Sequence, residues 1–209
     1  MDEFDLVRIA EKLNSRITHE YHNNTFFKIS YDISRAFSGS IFKVLEDVLE
    51  EENIIKYEKS HYNKGIKYYQ SEKMTVDRVV WLTSYDKVKK GVENYVWKYE
   101  ILIEHENDGT DWLHEMQKLC SMNAPYKLII TYGRTKNASD GMIATPPNKG
   151  VNLLGIAKEI IEYTNDQSCK QLVIMFGEES INLSTNGSKN LYDIYYWDFD
   201  KEMKDFDLL

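Results

Sequence analysis

Proline is scarce in this chain, three residues in 209, and glycine is held to ten, so little of the composition that makes linkers or low-complexity tails is present. Two cysteines, Cys120 and Cys169, are too few for a disulfide framework. No run of about 18 apolar residues occurs, which argues against a membrane-spanning helix. The chain starts Met1, Asp2, Glu3, without the basic flank and apolar stretch of a secretory leader, and a cytoplasmic location is expected. No repeat of solenoid period is found. Net positive charge is also lacking: 26 Lys and Arg against 34 Asp and Glu leave a formal charge of -8. That balance disfavours holding a polyanion by bulk electrostatics but permits a local basic track. What is present, 42% hydrophobic and 13% aromatic residues, suffices for the core of a single domain over 1–209.

Hydrophobic periodicity divides the chain. Phe4, Leu6, Val7, Ile9, Ala10, Leu13 and Ile17 recur near every 3.6 residues and predict a helix over 3–23, read as an accessory layer. The stretch 25–32, with Phe26, Phe27, Ile29 and Tyr31, reads as a short strand or an extended connection. Ser38, Gly39 and Ser40 offer N-cap chemistry for a second helix reaching about Glu52, with Ile41, Phe42, Leu45, Val48 and Leu49 on one face and Glu46 at its edge. The period then drops to two, and strands are expected over 54–59, 66–70, 76–83 and 95–106, the last two joined by a turn at 85–91.

Trp112, Leu113, Met116, Leu119 and Cys120 mark a third helix, 126–132 a buried strand, 151–163 a fourth helix, and 171–176 and 191–199 two last strands. Between them 133–150 reads as one long loop, and the acidic end after Asp200 as a solvated tail. The fold class expected is α/β, a central mixed β-sheet flanked by helices, in which 95–106 crosses over through the third helix to a parallel 126–132.

Chemistry concentrates at Ile101, Leu102, Ile103, Glu104, His105, Glu106. Alternation along a strand sends Glu104 and Glu106 to one face and His105, with Ile101 and Ile103, to the other. Two carboxylates sharing a face raise each other's pKa unless a cation lies between them, and a divalent metal with a preference for oxygen ligands is one such cation. If 76–83 and 95–106 pair as an antiparallel hairpin, Asp77 falls beside Glu104.

In this order of elements and acids the sequence resembles the restriction-endonuclease-like, or PD-(D/E)XK, nuclease superfamily. The resemblance covers 38–132 and implies a core of helix, three-stranded meander, helix and strand, with 1–37 an N-terminal helical addition and 133–209 a C-terminal extension of the sheet and helices. It implies Asp77 and Glu104 as the two acids, with Glu46 as the further acid on the first helix of the core. It implies Mg²⁺ or Mn²⁺ held by Asp77, Glu104 and the backbone carbonyl of His105. The activity implied is metal-dependent phosphodiester hydrolysis on DNA. The position that holds lysine in the family is Glu106 here, which would orient or deprotonate the attacking water, or would mark a chain that has lost catalysis. Lys118 on the next helix is the other source of a lysine, but helical phase sets it opposite the apolar face, whereas Gln117 and Glu115 flank that face and are expected to support the site. Substrate contacts are expected from Lys87, Lys89 and Lys90 in the turn, and from Arg134, Lys136 and Lys149 in the long loop.

The five histidines show no zinc-like spacing. Cys120 is expected in the core and Cys169 as a loop thiol. A nucleotide-binding enzyme is disfavoured because no glycine-rich phosphate loop follows any strand. The alternative from another class is a non-catalytic module that keeps the fold and presents its acidic, aromatic surface to a protein partner. The oligomeric state is open, a homodimer being compatible with the sequence.

Overall fold

A computed structural model of the protein describes residues 4–31, 34–55, 66–69, 76–82, 98–106, 112–134, 153–164, 167–178, 190–201, 203 and 205–209. Three helices come first: α1 Leu6–Asn23, α2 Thr25–Tyr31 and α3 Ser34–Glu51. Strands β1 Ile66–Tyr69, β2 Arg78–Leu82 and β3 Lys98–Glu106 follow, then α4 Trp112–Cys120, β4 Tyr126–Arg134, α5 Leu153–Thr164, β5 Gln171–Glu178, β6 Tyr192–Asp198 and β7 Asp207–Leu208. The strands form one seven-stranded sheet in sequence order. Pairing is antiparallel from β1 to β3, parallel from β3 through β4 to β5, and antiparallel again to β7. The mixed α/β architecture is therefore as expected, and 98–106 and 126–134 are parallel neighbours around α4. Among the described residues no helix is long and apolar enough to cross a membrane.

Each face of the sheet carries a helical layer. Ile101, Ile103, Leu128, Ile130, Val173 and Met175 pack with α1 and α3 in one core. Leu102, Ile129, Leu172 and Ile174 pack with α4 and α5 in the other. Burial on both faces is why β4 and β5 read as continuous apolar runs rather than alternating ones. Helix α1 belongs to the main core rather than to an accessory layer: Leu6, Ile9, Ala10, Leu13 and Ile17 are all buried. Asn14 clamps it to β6, its Nδ2 donating to the Tyr192 carbonyl at 2.8 Å and its Oδ1 accepting from the Tyr192 N–H at 3.1 Å.

Five local expectations are corrected. Residues 25–31 are helical, because Asn24 Oδ1 accepts from the Phe27 N–H at 3.2 Å as a cap and Phe27 is buried while Phe26 and Ile29 are 84% and 52% exposed. Helix α3 begins at Ser34, ahead of the serine cap expected at 38–40, and runs through Gly39. It stops at Asn53, whose φ of 58° lets the Asn53 and Ile54 N–H groups each donate at 2.9 Å to the Glu50 and Leu49 carbonyls. Ile54 and Ile55 thus belong to that helix stop, and 56–59 of the expected strand lie outside the described residues. The acidic tail contributes a short edge strand, with Tyr195 opposite Leu208. Cys169 is buried like Cys120, not a loop thiol at the surface.

Candidate functional site

Strand β2 enters the sheet just after Asp77, and β3 leaves it at Glu106. Their antiparallel register pairs Arg78 with Ile103, which brings Asp77 to the end of β3. The Asp77 Oδ2 there accepts from the His105 backbone N–H at 3.0 Å. Alternation along β3 holds as expected: Glu104 shares the α4 side with Leu102, while His105 lies on the α3 side, its ring 5.7 Å from that of Phe42. Glu106, half-buried, is the last residue of the strand and stands beside Thr131 of β4.

Glu104 is a buried carboxyl, 4% exposed. The Lys118 ammonium lies 2.6 Å from its Oε1 and also pairs with Glu115. This contact joins α4 to the Glu104 carboxyl of β3. Burial is the main cause of a pKa pushed up to about 8, helped by the Asp77 and Glu115 carboxylates and opposed by Lys118. Burial pulls the Lys118 ammonium the other way, but Glu104 and Glu115 outweigh it, and its pKa is raised. At neutral pH the lysine is therefore charged, and the buried glutamate holds its proton.

Helical phase misplaced Lys118 and Gln117 of α4. Lys118 reaches back to Glu104 along its own alkyl stem, although its Cα lies away from the apolar face. Gln117, expected to support the site, is exposed, and its carbonyl accepts the Ser121 hydroxyl at 2.8 Å. Glu115 is at the site through Lys118.

Glu46 lies in the other layer, its Oε1 3.6 Å from Arg78 Nε. Arg78 stacks over Phe42 at 3.9 Å and donates from Nη1 to the Asp77 carbonyl at 2.8 Å, so Glu46 meets the site through this arginine. Sequence reasoning passed over Arg78, although a cation beside an expected acid was a usable signal. Arg134 ends β4 opposite Glu178 rather than opening a loop. Lys87, Lys89, Lys90, Lys136 and Lys149 lie outside the described residues.

Among the described residues no three His, Cys, Asp or Glu side chains converge as a metal cluster. The donors at the site are two carboxylates, Asp77 and Glu104, with the His105 carbonyl between Glu104 and Glu106. This all-oxygen set fits a hard divalent cation and not a soft one.

No protein-family model matches the chain, and no curated protein does. Among solved structures, the central domain of yeast acetyl-CoA carboxylase is similar at a TM-score of 0.37 and 9% identity, over 91% of this chain and 32% of that one. A likeness this distant carries nothing about the site.

Proposed function

We propose that the protein is a metal-dependent nuclease with a restriction-endonuclease-like core, hydrolysing phosphodiester bonds in DNA. The observation that supports this reading is the meeting of Asp77 and Glu104 at paired strand ends, with Lys118 in contact with Glu104. Asp77, Glu104 and the His105 carbonyl would hold Mg²⁺ or Mn²⁺, with Glu104 giving up the proton that it otherwise holds at neutral pH. Such an ion lowers the pKa of an attacking water and neutralises charge on phosphoryl oxygens. Lys118, held protonated beside Glu104 and Glu115, serves as a fixed positive charge toward the phosphate, the part that a lysine two places after the second acid plays in the family. A protonated lysine accepts no proton, so that role falls to Glu106.

The net charge of -8 favours the second reading, a non-catalytic module of the same fold that binds a protein partner. A cleavage assay on DNA and RNA with Mg²⁺ or Mn²⁺ separates the two. Activity in the wild type that is lost in Glu104→Ala supports the nuclease. Equal activity in both, or none in either together with no heat of Mn²⁺ binding, overturns it.

A further inference from the structure

The side chain between the two acids of β3 turns away from them into the opposite layer, and it is polar where its neighbours are apolar. His105 is 6% exposed. Its Nδ1 is 2.9 Å from Ser38 Oγ and its Nε2 2.8 Å from the Tyr132 hydroxyl, which is itself 2.9 Å from the Tyr192 hydroxyl. Burial, and after it the nearby Arg78 guanidinium, push the imidazole down to about 3, so the ring is neutral, with one nitrogen a donor and the other an acceptor. Both flanking groups are hydroxyls that can donate or accept, so either tautomer is satisfied, and a choice at one end sets the direction of the whole chain.

Leucine or phenylalanine at these positions would fill the layer without desolvating polar atoms. A buried network with matched donors and acceptors has a different effect: it restricts its members to one arrangement. The fold also leaves room for it, since a Cβ at Gly177 would come within 2.8 Å of both the Tyr132 and Tyr192 rings. The residue so restrained is the one whose backbone N–H donates to Asp77 Oδ2.

We propose that His105 is a positioning residue: clamped by Ser38 and by the Tyr132–Tyr192 pair, it fixes the peptide that orients Asp77 and the Glu104 strand end, so that the two carboxylates converge on one cation. This rests on the metal-site reading above. It parallels the way outer hydrogen bonds set ligand orientation in metal sites generally, where their loss weakens metal binding by about 10–100-fold.

The test uses the full chain with His105→Leu, His105→Gln and Tyr132→Phe, measuring Mn²⁺ affinity by calorimetry, hydrogen exchange at the His105 amide and thermal unfolding. Expected are Mn²⁺ binding weakened about 10–100-fold in His105→Leu and Tyr132→Phe, and exchange at the His105 amide accelerated relative to that of Leu102. His105→Gln, whose amide still reaches the Tyr132 hydroxyl, should recover most of the affinity. Tyr132→Phe keeps the test open should His105→Leu fail to fold. Unchanged affinity in Tyr132→Phe, or losses that follow thermal stability alone with no recovery in His105→Gln, overturns the proposal. Absence of Mn²⁺ binding by the wild type overturns the metal reading instead; the exchange data then decide separately whether the clamp on His105 exists.

Discussion

The Lys118 ammonium lies 2.6 Å from Glu104 Oε1, joining the last turns of α4 to the buried carboxyl of β3. It supplies a positive charge to a strand end that otherwise gathers acids.

Replacing that charge should therefore separate catalysis from binding. Lys118→Met is expected to lower kcat by about 10²–10³-fold, the usual cost of losing one preorganised electrostatic group, with KM changed far less. Lys118→Arg should retain part of the rate, because charge is kept while the compact ammonium is not. Steady-state cleavage kinetics check both; an unchanged kcat in Lys118→Met removes this lysine from the mechanism.

Glu104 also predicts a pH dependence of stability. Its carboxyl holds its proton up to about 8 in the fold, against an ordinary value of 4.5. Between those values the folded state binds the extra proton, so stability declines as pH rises across that window. Glu104→Gln cannot ionise, and its urea midpoint should fall less than that of the wild type between pH 5 and pH 8. Equal slopes for the two proteins would mean that Glu104 is not held protonated.

Asn14 ties α1 to β6 through both backbone groups of Tyr192. Asn14→Leu leaves a buried N–H and a buried carbonyl without these bonds, a loss of about 2–4 kcal/mol. Urea unfolding should show a lower midpoint with little change in slope.

Gly177→Ala places a methyl group within 2.8 Å of two tyrosine rings. Moving packed rings costs about 1–3 kcal/mol, and here it also disturbs the hydroxyl chain that reaches His105. Thermal unfolding measures the first effect, and the His105 amide exchange rate the second.

Much of the β3 site was legible in the residues, because alternation is a local property of a strand. It placed Glu104 and Glu106 on one face and His105 on the other, and the antiparallel hairpin brought Asp77 alongside. The apolar runs of β4 and β5 announced strands covered on both faces. Residues 25–31 misled because a weakly patterned set of apolar residues hid a capped helix, and Asn24 was the signal that could have found it.

Local period reports where a Cα stands, not how far a side chain reaches. Helical phase therefore set Lys118 away from Glu104, and only the packing of α4 on the sheet, with a four-carbon stem able to span the gap, brought them together. The same holds for the buried partners of His105. Ser38, Tyr132 and Tyr192 lie in three different elements, and no spacing along the chain encodes their meeting. The sequence alone determined which residues could share a face. The order of strands in the sheet and the layers on its two sides decided which of them touch, because a contact between distant segments exists only once the segments are packed.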